Sequence, residues 1–392
     1  MASHGVARSA NTASRTEQEI DNEQREIKEY RDLENMIRTK VAGHEQTVEL
    51  FELTSRILKK NPEYYTIWNH RRRLLTNSLF PKALSAAESV AFSSFNTASI
   101  AIPITSIRTE SQTHDSRDKI KNDEILQLIS DDLDFIIPIM IKYPKCYWIW
   151  NYRLWLLQQA NEKLDRIISR NLWTRELALV EKMLVKDNRN FHGWGYRRMI
   201  VAQLEDPRLD GQSMVESEFE YTTKMINAPN GLSNFSAWHR RSKLIPRLLN
   251  ERVADTAARY RLLDDELELI ISAMYTDSYP YQQSAWFYYQ FLMTIIIEPS
   301  KSTATINFTK GDRQRYVIQQ IEILKDMLDG AEDCKWIYDT LIEFTLVISR
   351  MQNRGLHVAE KQDCISWLKK LKVLDHFRIG RWNDREKLLV DG

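Results

Sequence analysis

The chain has 392 residues, with 55 Lys and Arg against 54 Asp and Glu and a net charge of +1. A dedicated nucleic-acid binder concentrates basic charge, so this balance argues against one. Only 11 Gly and 10 Pro interrupt a chain rich in helix formers, and three separated cysteines, Cys146, Cys334 and Cys364, form no CxxC or disulfide framework and fit a reducing compartment.

In chain order, the start MASHGVARSANTASRTEQEID lacks the apolar core of a secretory signal. The longest apolar run, 135–141, is interrupted by Pro138 and is far too short to span a bilayer. These features predict a soluble, intracellular protein with no membrane span. Residues 1–16 read as a flexible arm. Residues 17–40 predict a charged helix with a thin seam, Ile20, Ile27, Tyr30 and Ile37, suited to lying along a partner or along the next element. Residues 81–120, rich in Ser, Thr and Ala without a steady period, read as a long disordered insertion. Pro138 should end or kink the helix that follows.

Aligning the chain on its tryptophans exposes a repeat. "NPEYYTIWNHRRRLL" centres on Trp68, "YPKCYWIWNYRLWLL" on Trp150, "NRNFHGWGYRRMIV" on Trp194, "NFSAWHRRSKLI" on Trp238 and "YQQSAWFYYQFLM" on Trp286, with weaker echoes at Trp336 and Trp382. After a long first interval, successive copies arrive every 44–50 residues. A fixed period in that range means stacked supersecondary units. Each unit reads as two helices. In the third, Leu177, Val180 and Leu184 stripe the first helix, "DNRN" supplies turn and cap residues, and Trp194, Arg198 and Val201 mark the second. Trp150, Leu154 and Leu157 do the same one unit earlier. An αα-hairpin cannot bury its stripe alone, so neighbours stack into an all-α solenoid over residues 17–390. Trp68, Trp150, Trp194, Trp238 and Trp286 then read as core wedges, the first four each followed by an Arg suited to a carboxylate or carbonyl of the adjacent hairpin.

A metal site needs converging His, Cys or carboxylate ligands. His357 lies seven residues before Cys364, beside Asp363, which is a weak spacing; no metal or cofactor is expected in this chain.

The pattern N-x-x-x-W-x-x-R resembles the protein prenyltransferase α-subunit repeat from about residue 44 to 350, omitting 81–120, with fainter traces to 390. "FELTSRILKKNPEYYTIWNHRRRLL" (51–75), "RNFHGWGYRR" (189–198) and "DSYPYQQSAWFYYQFLM" (277–293) are most similar to the α subunits of the type II, Rab-directed geranylgeranyltransferases, in a short fungal-type form. The α subunit shared by farnesyltransferase and the type I enzyme is the alternative. The resemblance implies a right-handed α–α superhelix, crescent-shaped, wrapped around a β subunit that holds zinc and the isoprenoid. It implies a cytoplasmic heterodimer, inactive as the α chain alone, that moves geranylgeranyl from geranylgeranyl diphosphate to C-terminal cysteines of Rab GTPases presented by an escort protein.

The resemblance also assigns residues. Lys145, five before Trp150, matches the family lysine that points at the diphosphate, where negative charge builds as the allylic C–O bond breaks. Tyr147 beside it would donate a hydrogen bond. Arg189 and His192 lie on the corresponding loop of the next unit. His4, in His4-Gly5, resembles the amino end of the Rab enzyme's α subunit and would reach the partner's zinc from a flexible arm. The plainer readings are a solvated loop lysine, packing residues and a disordered tail. A non-enzymatic solenoid adaptor explains the repeats equally well, and a single-strand nucleic-acid binder would use the Trp and Arg for stacking, against the near-zero charge.

Overall fold

The computed structural model describes the backbone of residues 16–83, 109–276 and 281–391 and, apart from 109–121, 299 and 391, their side chains. His4 and residues 84–108 of the insertion lie outside the described residues. Every regular element among them is helical. The chain divides into two compact units, 1–186 with 190–212, and 187–189 with 213–392.

The first unit holds α1 (Glu17–Ala42), α2 (Val48–Lys60), α3 (Tyr65–Leu74, continued by a π-helical stretch Leu75–Leu79), α4 (Thr109–Lys142), α5 (Tyr147–Lys163), α6 (Arg166–Lys186) and α7 (Phe191–Leu204). The pairs α2–α3, α4–α5 and α6–α7 are the hairpins anticipated from the repeat. The second unit holds α8 (Val215–Ile226), α9 (Phe235–Glu251), α10 (Thr256–Met274), α11 (Gln283–Ile297), α12 (Lys310–Met327), α13 (Lys335–Met351), α14 (Val358–Leu374) and α15 (Ile379–Asp391), paired in the same way.

The repeating tryptophans are all buried. In three hairpins the indole N–H donates to the carbonyl six residues earlier: Trp68 to Pro62 at 2.8 Å, Trp150 to Pro144 at 3.0 Å and Trp238 to Leu232 at 2.9 Å. The same carbonyl accepts from the next hairpin. Pro62 O takes the Cys146 thiol, Pro144 O takes the Asn190 amide and Leu232 O takes the Ser284 hydroxyl. One loop oxygen thus closes its own turn and fixes the neighbour's height.

A second ladder runs through the interior. Arg71 on α3 donates Nε to Asp132 on α4 at 2.9 Å, and Tyr152 on α5 donates to the other oxygen of that carboxylate at 2.6 Å. One step on, Arg153 grips Glu176 on α6 with Nε and Nη2, both at 2.6 Å, and Tyr196 on α7 donates to it at 2.6 Å. Within the second unit, Arg241 on α9 and Tyr288 on α11 share Glu266 on α10. In these three triads the carboxylate of the first helix takes the Arg three residues after the previous Trp and the Tyr two residues after its own. Arg71 and Arg241 also stack on Phe51 and Phe219 and donate to Thr54 and Thr222, so the guanidinium is satisfied on every side. Burial beside a carboxylate pushes the Tyr152, Tyr196 and Tyr288 hydroxyls well above the ordinary phenol range, which keeps them donors.

Several sequence expectations change. The buried arginine of α7 is Arg197, and Arg198 is exposed. On α6 the inward stripe is Leu172, Trp173, Glu176, Val180 and Leu184, with Leu177 only half-buried, because a charged residue occupies a core position. α4 begins at Thr109, so residues 109–120 are helical where disorder was expected; the charged stretch "TESQTHDSRDKI" carries no Gly or Pro to stop the helix. Pro138 does not end α4, because Ile136, Ile139 and Met140 are buried on either side of it. Gly193 lets α7 approach α6: a Cβ there would lie 3.0 Å from Leu184 Cδ2. Nothing in the structure explains Gly195. Along α1, Leu33 and Ile37 are buried, whereas Ile20 and Ile27 are exposed.

Removing one member of a buried ionic triad strands the others. Glu176→Ala is expected to destabilise the chain by about 3–5 kcal/mol, because the Arg153 charge and the Tyr196 hydroxyl lose their acceptor. Urea denaturation checks this, and a loss below about 1 kcal/mol would mean that the ladder is incidental to stability.

Candidate functional site

The second helices of the first unit, α3, α5 and α7, open at Tyr65, Tyr147 and Phe191, each three residues before a repeating Trp. These side chains are 54, 54 and 74 % exposed. In the second unit Phe235 opens α9 in the same register. An aromatic side chain that recurs at an exposed helix start contributes nothing to its own hairpin's core and has the composition of an interface.

Around this edge the first unit gathers a cluster. The Tyr65 ring lies 5.3 Å from Trp148, Trp148 5.7 Å from Tyr147, Tyr147 6.1 Å from His192, and His192 5.8 Å from Phe191, centroid to centroid. Lys145 and Tyr147 are exposed. Lys145 and Glu63 both act on His192 with opposite sign. Partial burial, the largest cause, holds the His192 imidazole below its ordinary pKa, Lys145 adds to this, and Glu63 opposes it. His192 is therefore neutral near pH 7 and keeps one ring N–H donor.

The helix starts differ in capping. α7 is capped by Asn190, whose side-chain oxygen accepts from Gly193 N at 3.1 Å. α5 starts from Cys146, and a thiol is a weak acceptor, so the first-turn N–H groups of α5 keep more donor capacity. Lys145 stands immediately before them. A lysine at an oxygen-free helix amino end, with a phenol and a neutral imidazole alongside, can hold an anion of diphosphate character.

Of the residues singled out from sequence, the fold brings Lys145, Tyr147 and His192 together. Arg189 is exposed and falls in the 187–189 segment that groups with the second unit. The sequence reading missed Glu63, Tyr65, Trp148 and Phe191. The signal was available: Glu63 stands five residues before Trp68, in register with Lys145 and Arg189.

Burial pushes the Cys146 thiol up to about 12 and the Cys364 thiol to about 11, which disfavours the thiolate a metal needs. His357 is exposed at the start of α14 while Cys364 is fully buried. Among the described residues no three His, Cys, Asp or Glu side chains converge as a metal site. None of the described helices is long and apolar enough to cross a membrane.

The architecture and this edge define a recognised class. Residues 48–78, 129–160 and 173–204 match the protein prenyltransferase alpha subunit repeat, one match for each hairpin of the first unit. The geranylgeranyl transferase type-2 subunit alpha of Saccharomyces cerevisiae is 30 % identical over 342 residues, covering 87 % of this chain and 83 % of the relative. That of Candida albicans is 27 % identical, covering 97 % of both. The human subunit is 28 % identical over 84 % of this chain, which spans only 49 % of that longer protein. In fold, the chain resembles Candida albicans protein geranylgeranyltransferase-I complexed with GGPP, with a TM-score of 0.57 at 19 % identity over 92 % of this chain and 91 % of that one. The chain belongs to the protein prenyltransferase alpha-subunit family, among the type-2 geranylgeranyl transferase subunits.

The charges around His192 set its titration. Lys145→Ala should raise its pKa and Glu63→Gln should lower it further, as followed by NMR titration of the ring protons assigned with His192→Asn. Because the folded-state value is depressed, the stability His192 contributes is present above its ordinary pKa and is lost as pH falls through the folded value. Shifts of the opposite signs would place Lys145 or Glu63 elsewhere.

Proposed function

We propose that this chain is the α subunit of a Rab-directed, type II protein geranylgeranyltransferase. It acts with a zinc-containing β subunit to move geranylgeranyl from its diphosphate to C-terminal cysteines of Rab GTPases presented by an escort protein. The observation that carries the reading is Lys145 at the amino end of α5, within the repeat shared with the type-2 subunits. The exposed aromatic edge is the surface on which the β subunit docks. Zinc, which would activate the cysteine thiol, is assigned to that partner; the described residues of this chain offer no ligand set.

The chemistry asked of this chain is electrostatic. As the allylic C–O bond breaks, negative charge grows on the diphosphate. Lys145 supplies a fixed cation, the first-turn N–H groups of α5 supply oriented dipoles, and the Tyr147 hydroxyl and neutral His192 supply further donors. None of these groups needs to reorganise during the reaction, which is the condition under which such stabilisation is large.

Co-expression with a prenyltransferase β subunit tests this directly. Transfer to a Rab with its escort protein is expected only from the heterodimer, not from this chain alone. Activity confined to CaaX proteins would reassign the chain to the farnesyl and type I class, and failure to bind any β subunit would favour a solenoid adaptor. In the active dimer, Lys145→Ala should lower the turnover rate about 100-fold at saturating isoprenoid and protein substrate. An unchanged rate would remove Lys145 from the mechanism. Tyr65→Ser with Phe191→Ser should weaken subunit association at least tenfold, as measured by titration of the labelled β subunit.

A further inference from the structure

The loops that open α3 and α5 meet at one oxygen. Pro62 O accepts from the Cys146 thiol at 3.4 Å and from the Trp68 indole at 2.8 Å. Glu63 follows Pro62, and Lys145 precedes Cys146. The two charged residues therefore stand on adjoining loops at the same repeat position, five before Trp68 and five before Trp150. The Glu63 backbone is pinned on both sides: its N–H donates to Asn61 Oδ1 at 3.1 Å, and its carbonyl accepts from Tyr65 N at 2.8 Å. Its side chain is exposed, and among the described residues it makes no ion pair.

A carboxylate placed only to balance a local cation would pair with it. Glu63 acts across the cluster instead. After burial, it is the largest influence on the His192 ring, ahead of Lys145. Burial is also the main cause that raises the Cys146 thiol, and Glu63 adds to it. An anion held between Lys145 and His192 thus lies in the field of a negative charge as well as a positive one.

The reaction changes what that field does. The allylic C–O bond gives its electron pair to the diphosphate oxygen, the cysteine sulfur forms the new C–S bond, and the thiol proton is lost to solvent. Free diphosphate carries more negative charge than the ester it came from. The cations of the edge therefore hold the leaving group more tightly than the substrate, and the departing product is the species most prone to be trapped. A carboxylate in the same field opposes the free diphosphate more strongly than the ester.

We propose that Glu63 limits how tightly this edge holds free diphosphate, so that the leaving group departs after transfer. Glu63 acts through space on the anion and bonds to no reacting atom. The inference rests on the proposed role of Lys145, and its test separates the two.

Calorimetric titration of inorganic diphosphate into the heterodimer, without divalent cations, compares the native chain with Glu63→Gln, Glu63→Asp and Lys145→Ala. Across about one helix spacing, loss of one negative charge should tighten diphosphate binding about tenfold in Glu63→Gln. Glu63→Asp keeps the charge and should stay within about threefold of native. In a single turnover Glu63→Gln should break the C–O bond faster, while its multiple-turnover rate falls because release becomes limiting. A purely structural role for Glu63 would not split the two rates in opposite directions. Unchanged or weaker binding by Glu63→Gln, with Lys145→Ala still impaired, overturns the inference and leaves the diphosphate reading standing. Equal binding by the native and Lys145→Ala heterodimers overturns both, as does failure to form a heterodimer. Diphosphate that binds Glu63→Gln more weakly once Mg²⁺ is added would make Glu63 a bridge through a cation and also overturn the inference.

Discussion

The buried Arg–carboxylate–Tyr triad is the interaction on which each unit depends. Hydrophobic stripes bring hairpins together without fixing how they slide against one another. A carboxylate that must accept from the previous hairpin's Arg and from its own hairpin's Tyr is satisfied at a single height. Charge burial of this kind is costly in isolation and tolerable only when every donor is met. The Phe51 and Phe219 rings and the Thr54 and Thr222 hydroxyls complete that condition around Arg71 and Arg241. Where the ladder becomes neutral, Tyr289 donates to Gln320 at 3.0 Å, so the geometry outlasts the charge.

The other ladder, through the loop carbonyls, passes this register to the surface. Pro62 and Pro144 each hold their own Trp and the next hairpin's opening residue. The helix starts of α3, α5 and α7 are consequently locked relative to one another, and Tyr65, Tyr147 and Phe191 project from them exposed. Lys145 lies between a buried thiol and a pinned proline, which fixes its backbone while its ammonium remains exposed.

Much of this was legible in the sequence, because the tryptophan period dictates hairpins of constant length and places Lys145, Arg189 and Glu63 in equivalent positions. Lys145, Tyr147 and His192 could be named before any coordinates. The ladder was only half legible. The arginines stood out, but Asp132, Glu176 and Glu266 are carboxylates on helices otherwise read by their apolar stripes. Hydrophobic periodicity assigns a Glu to solvent, and only the Arg and Tyr arriving from two other helices reverse that assignment. Of the two expectations for Pro138, a stop or a kink, the stop did not occur, because tertiary packing carries the helix through it. The confusion of Arg197 with Arg198 shows how little a one-residue step is constrained until the facing helix is known.

The electrostatics of the edge show how a nearly neutral chain could meet the anion of the proposed reading. With 55 basic and 54 acidic residues there is no global field to draw a diphosphate in. What remains is local: one exposed lysine, an oxygen-free helix start and a phenol. His192 is kept neutral by burial and by Lys145, so it donates without adding a second charge that would repel the first. When a partner closes over the edge and water leaves, the lower dielectric strengthens Lys145 far more than exposure allows. In the proposed heterodimer, the edge would therefore act on a diphosphate most strongly where a partner excludes water.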